Sequence, residues 1–177
     1  MIIVIIVLII AIIAFLYSIY HDKISFLSVK LNMIEEKINS TLIKRKELIK
    51  DSEKIIKEVT KTKKDVYQGF KNINDGEKDI IKLDRKLLVY INEFYLIKDK
   101  YKELNKNEDF QKISFSIDET EDLLNAYKEY YNNNATKYNK LIKRFPISII
   151  SLIKRRKEKL FFDKKNSSDD DYNDFKY

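Results

Sequence analysis

The chain carries one histidine and no cysteine. Its possible chemistry therefore rests on carboxylates, amines, guanidinium groups, tyrosines and asparagines. A transition-metal site needs clustered His, Cys or carboxylate ligands, and His21 stands alone, so no metal or cofactor is expected. Disulfide and thiolate chemistry are excluded, which leaves the redox compartment open. Acid pairs occur only between near neighbours, Glu35 with Glu36 and Glu119 with Glu121, and such neighbours point apart on a helix. The run Asp169, Asp170 and Asp171 could touch calcium weakly, but a solvated acidic tail is the preferred reading. No G-x-G-x-x-G, phosphate-loop or nucleophile-elbow pattern occurs. Two patterns remain. The cluster Lys154, Arg155, Arg156, Lys157 and Lys159 has the chemistry for nucleic acid or anionic lipid. The solvated end of a short helix is preferred there, and nucleic acid is not an expected partner. The second pattern is Tyr131-Asn132, repeated seven residues later as Tyr138-Asn139.

The repeat lies inside a long amphipathic pattern. Apolar residues recur at Phe110, Ile113, Ile117, Leu124, Tyr127, Tyr131, Tyr138, Ile142 and Phe145 in steps of three and four or their sums, and Pro146 closes the run. Two helical turns are close to seven residues. The tyrosines therefore share the apolar seam, and Asp118, Asn125, Asn132 and Asn139 form a polar row beside it. The simplest role of that row is to satisfy polar groups within a helical bundle. A ligand groove built from the same residues is the alternative.

The N-terminal residues form a different kind of helix. Between Ile2 and Tyr20 there is no charge, and fourteen residues are Ile, Val, Leu or Phe. The run spans roughly 28 Å, and its insertion is favoured by on the order of 4–8 kcal/mol. A signal peptide would need a basic start and a small-x-small cleavage site, and neither is present. The expectation is a retained single membrane span. Tyr17, Tyr20 and His21 then sit at the interface. Lysines follow on the downstream side alone, which places the N-terminus outside and the bulk of the chain in the cytoplasm.

From Ile24 the apolar residues narrow to a seam through Leu27, Leu31, Ile34, Ile38, Leu42, Ile49, Ile56 and Val59, interrupted by Arg45 and Ser52. A charge in a seam needs a partner, and Glu119 or Glu121 is the expected one for Arg45. Residues 67–76, YQGFKNINDG, hold both glycines of the chain and read as a turn. A second helix should follow through Ile80, Leu83, Leu87, Ile91, Phe94, Tyr101 and Leu104. Asn105 to Asn107 make the next turn, with Asp109 as the cap of the third helix. Short turns between long helices imply antiparallel neighbours. A second helix returning from near 72 or 77 would stop short of the membrane. It would leave Ile24, Leu27, Leu31 and Ile34 uncovered unless a second copy packed there as a parallel coiled coil through residues 24–38.

The order F…TE…YYN…YN…FP, carried by Phe110, Glu121, Tyr131, Asn132, Tyr138, Asn139, Phe145 and Pro146, resembles the C-terminal signature of the LemA family of single-span bacterial membrane proteins. The segment 41–56 is similar to the N-terminal signature of that family at Leu42, Arg45, Leu48 and Ile49. Lys50 and Asp51 stand where the family has proline and asparagine. The basic cluster replaces a glycine-phenylalanine step. The resemblance implies a cell-membrane protein without established catalytic residues.

The sequence thus predicts an all-α protein. Residues 1–20 form a transmembrane helix that continues into an antiparallel up-down-up bundle of three long helices, spanning 21–163. A short C-terminal helix runs from about Ile147 to Lys159, and residues 164–177 form a disordered acidic tail. The expected function is a non-catalytic interaction or scaffold role at the bacterial envelope. The bilayer is its first partner, and its protein partners are not identified. The alternatives are a module binding anionic lipid or nucleic acid through 154–159, and an extracytoplasmic sensor.

Overall fold

The computed structural model describes residues 1–62, 65–70, 73 and 79–162. The expected tail 164–177, Asp169 to Asp171 and Gly76 lie outside them. The elements are α1 (Ile2–Thr60), α2 (Ile80–Lys100), a 3₁₀ turn (Lys102–Lys106), α3 (Glu108–Lys143) and α4 (Ile147–Ile153). The protein is all-α, with no strand among the described residues. It divides into two compact units, one of residues 36–127 and one joining 1–35 with 128–177.

No glycine or proline interrupts α1 from Ile2 to Thr60, so the helix runs on while its composition changes around it. Residues 1–15 are exposed on every side. This is one helix long and apolar enough to cross a membrane. From Ile24 onward one face alone is buried: Ile24, Leu27, Leu31 and Ile34, then Ile38, Leu42, Arg45, Ile49, Ser52 and Ile56. That is the seam the spacing predicts.

In the unit of residues 36–127, the helices run in directions the sequence did not suggest. As α1 advances from Lys37 to Arg45, its partners on α3 recede from Tyr127 to Glu121. As α2 advances from Tyr95 to Lys98, its partners recede from Asp118 to Ser114. Both helices are antiparallel to α3, so α1 and α2 point the same way, and the up-down-up order is corrected.

The reason lies in the connection after Thr60. α1 stops there, with Lys61 in the left-handed region (φ 53°), before the expected turn at 67–76. The chain then runs back along α1. Asp65 meets Lys57, Tyr67 meets Ser52, and the Ile73 carbonyl accepts from Lys46 Nζ at 2.9 Å. A non-helical chain covers about 3.3 Å per residue against 1.5 Å in a helix, so it can return along several helical turns. Tyr67, Phe70 and Ile73 are buried, and the two rings pack edge-on against Tyr90. Gly69 adopts φ 80°, the conformation that favours glycine.

Asp79 caps α2, its Oδ1 accepting from the N–H groups of Ile81 and Lys82 at 3.1 Å. Asn107 caps α3, its Oδ1 accepting from Phe110 N–H at 2.9 Å. Asp109, the expected cap, instead pairs with Lys112 one turn on. Phe94 and Phe110 stack at 5.3 Å, both fully buried, and close the α2–α3 corner with Leu104.

In the other unit, α1 up to Glu35 lies with α3 from Lys128, with α4 and with the segment to Phe162. Glu35 meets Tyr131 and Tyr20 meets Arg144. The seam residues Ile24, Leu27, Leu31 and Ile34 are buried within this single chain. The reason for expecting a covering second copy therefore falls away, because α3 is long enough to follow α1 down. Phe26, Val29 and Met33 face outward instead. α4 is shorter than expected and ends at Ile153. Arg155 is left-handed (φ 49°), and the Arg156 N–H donates to the Ser151 carbonyl at 2.9 Å. This is the helix-ending bond pattern usually built on glycine. Residues 156–162 leave helical conformation.

Candidate functional site

Two polar constellations stand on α3, one in each unit. In the unit of residues 36–127 the centre is Arg45, 1% exposed and held at the seam of α1. Its Nη2 donates to Glu121 Oε2 at 2.6 Å and its Nε to Thr120 Oγ1 at 3.2 Å. Thr120 in turn donates to the Ile117 carbonyl at 2.7 Å. Glu119, the other expected partner, lies outside this node and pairs with Lys44 at 3.3 Å. A guanidinium in an apolar interior is tolerable only when its donors are met, and a charge-assisted bond does this best. Around the node, Tyr95 donates to Asp118 at 2.6 Å and Lys98 to Ser114 at 2.6 Å. Burial, and then the Asp118 carboxylate, push the Tyr95 hydroxyl well above its usual range. Tyr67, buried against Ser52, is raised mainly by burial. Both phenols stay neutral and serve as donors. Leu42 and Ile49 are buried, whereas Leu48 is half-buried.

The second constellation is the tyrosine-asparagine repeat. Tyr131 and Tyr138 are buried, as their spacing predicts. The asparagines do something the sequence did not disclose. Asn132 Nδ2 donates to the Phe162 carbonyl, and its Oδ1 accepts from the Phe162 N–H, both at 2.9 Å. Asn139 repeats the pattern on Lys159, again with both bonds at 2.9 Å. Each side-chain amide thus behaves as a strand neighbour would, meeting one backbone donor and one acceptor. The spacing matches: seven helical residues rise about 10.5 Å, and three extended residues span about 10 Å. The held segment runs antiparallel to α3. Its ends are fixed by side chains as well. The Phe162 ring meets Tyr131 edge-on at 5.1 Å, and Lys159 Nζ lies 2.8 Å from Glu35 Oε1. Tyr131 also donates to Glu35 at 3.1 Å, and burial followed by this carboxylate raises its hydroxyl. Such an arrangement can hold an extended backbone with little regard to the intervening side chains. Leu160, between the two held residues, is 73% exposed.

The remaining expected site residues separate. Phe145 turns outward and is 77% exposed, contrary to its place in the predicted stripe. Pro146 lies between α3 and α4 and leaves α3 to end at Lys143. Lys159 belongs to the asparagine-held segment. Lys154 reaches the opposite way, to Tyr17. Arg155, Arg156 and Lys157 lie in the turn between them. Thr120 entered the sequence only as the threonine of the TE step and Glu35 only as a neighbour of Glu36, neither as a partner within a site. Thr120 sits three residues after Ile117 and four before Leu124, a seam position that a polar side chain conceals from an apolar count. Among the described residues, no group of three or more His, Asp or Glu could hold a metal ion.

Comparison with curated proteins and with solved structures finds no match. The N-terminal apolar helix and the helical fold fit a membrane-associated protein. The family model described as the LemA family matches residues 23–173, most of the chain, and the protein belongs to that family.

Proposed function

We propose that this protein is a membrane-anchored, non-catalytic interaction or scaffold protein of the bacterial cell envelope. The observation that carries the reading is α1 itself. Its first fifteen residues are exposed and apolar, and without a break it becomes a seam buried in folded helices. An apolar run of that length left in water is untenable, and a bilayer satisfies it. The buried and half-buried ionisable groups also support the reading. Arg45, Glu121, Glu35 and Lys159 hold one another or neighbouring helices, as structural groups do. The bundle faces the cytoplasm in this reading. Lys23 follows the span in sequence, while Arg144 and Lys154 reach Tyr20 and Tyr17 at its end through the fold, and positive charge at one flank sets orientation.

The test is photo-crosslinking from exposed positions of the full chain in native membranes, read by mass spectrometry. The expected result is a small, reproducible set of protein partners captured at the same positions. Capture of lipid alone from every position would contradict an interaction role.

A further inference from the structure

We propose that α4 and the turn after it form a second membrane contact. In it, Phe145, Ile149, Leu152 and Ile153 enter the headgroup–acyl boundary, while Arg144, Lys154, Arg155 and Arg156 engage anionic phospholipid headgroups. The proposal rests on the anchored reading of residues 2–20.

α4 has two faces. Ile147 and Ser151 are buried, one turn apart. Ile149, Leu152 and Ile153, at helical spacing on the other side, are exposed, and Phe145, just before the helix, is exposed as well. Apolar side chains clustered on an exposed face normally mark a surface that something covers. Two observations decide what covers this one. The first is position. Arg144 stands 6.0 Å from the Tyr20 ring. Lys154 Nζ donates to Tyr17 Oη at 3.0 Å and lies 5.7 Å from its ring. Those tyrosines end the apolar run, at the depth where aromatic side chains line the membrane interface. Cations flanking α4 at both ends are thus fixed at headgroup level by the span. The second observation is charge. Exposed apolar residues edged with Lys and Arg form the pattern of helices that lie in the interface of an anionic membrane. Lys143 and Lys159 are already engaged, with Glu158 and Glu35 at 2.8 Å. Of the cations assigned to lipid, Arg144 and Lys154 are held at Tyr20 and Tyr17, and Arg155 and Arg156 follow Lys154 directly in the chain. Arg155 adds to this, since it keeps a cationic side chain at a left-handed position that glycine would occupy without strain.

The test uses the full chain, which contains no tryptophan, carrying Leu152→Trp as a single fluorescent reporter. It is reconstituted into vesicles of phosphatidylcholine, with or without phosphatidylglycerol, that contain lipids brominated near the headgroup. The proposal predicts blue-shifted emission and bromine quenching, roughly twofold stronger when phosphatidylglycerol is present. It also predicts loss of that difference in the Lys154→Glu, Arg155→Glu, Arg156→Glu triple variant. Ile149→Trp is a second reporter, and circular dichroism checks each variant for its helices. Water-like emission open to aqueous iodide in both vesicle types would overturn the proposal. So would protection that rises with protein concentration rather than with lipid, the mark of a second copy. Equal quenching in both vesicle types, unchanged in the triple variant, would overturn the headgroup assignment. Failure of the anchored reading looks different: the chain would not float with the vesicles at all.

Discussion

Asn139 holds Lys159 by both of its backbone polar groups, accepting from the N–H and donating to the carbonyl, each at 2.9 Å. Asn132 does the same for Phe162 two helical turns away. The segment that follows α4 is therefore fixed to α3 through its backbone, and Phe162 and Lys159 then find Tyr131 and Glu35.

Replacing Asn139 or Asn132 by Ala removes two hydrogen bonds and strands one backbone donor and one acceptor. Each substitution should cost about 1–3 kcal/mol of local stability. The measurement is hydrogen exchange at the amides of Lys159 and Phe162, which should accelerate at both sites in either variant, because the clamps share one segment. Unchanged exchange at both amides would remove the clamp.

The Arg45–Glu121 pair makes an asymmetric prediction. Glu121→Ala leaves a guanidinium that is 1% exposed without its carboxylate, and should cost about 3–5 kcal/mol. Arg45→Met combined with Glu121→Met exchanges the pair for apolar side chains, and should cost less than Glu121→Ala alone. Thermal or denaturant unfolding of the two variants checks the order. A double variant less stable than Glu121→Ala would contradict this account of the node.

The aromatic seam of α3 predicts a larger loss. Tyr131→Ala removes a buried ring together with its contacts to Phe162 and Glu35, and should cost roughly 3–5 kcal/mol. Tyr131→Phe keeps the ring and loses one hydrogen bond, worth about 1 kcal/mol. Equilibrium unfolding separates the two.

Tyr67, Tyr95 and Tyr131 all have hydroxyls raised above their usual value, first by burial. A raised folded-state pKa gives stability that is full below the unfolded pKa of about 10 and is lost as pH climbs through the folded value. The protein should therefore hold its stability up to about pH 10 and lose it above. Tyrosinate absorbance should show a late-titrating fraction that appears together with unfolding. In Tyr131→Phe that fraction should shrink. Complete tyrosine titration near pH 10 with helicity retained would contradict the burial of these phenols.

Much of the fold was legible because one side chain in three or four had to be apolar to bury a helix face. Ile24 to Ile56 on α1, Leu83 to Phe94 on α2, and Phe110, Ile117, Leu124, Tyr131, Tyr138 and Ile142 on α3 lie where that spacing puts them, whereas Ile113 and Tyr127 are only half-buried. Arg45 stood out as a charge within such a seam, and its carboxylate was among two candidates. The direction of α2 was not legible. It depends on a non-helical connection anchored by Tyr67 on Ser52 and Ile73 on Lys46, contacts between residues with no shared periodicity. The asparagine row was visible, but its purpose was not. Side-chain amides that hold a backbone leave no trace in the sequence of the held segment, which here read as more of a helix.

We propose α1 as a retained span with the bundle on the cytoplasmic side. The most direct measurement labels Asp109→Cys, the single thiol of such a chain, with a membrane-impermeant maleimide in intact and in lysed cells. Asp109 is well exposed, so access depends on the membrane rather than on the fold. The expected result is a chain that resists carbonate extraction, keeps its first twenty residues, and is labelled only after lysis. Labelling in intact cells would reverse the orientation, and a carbonate-soluble chain, or one beginning downstream of Ser18, would contradict the anchor itself.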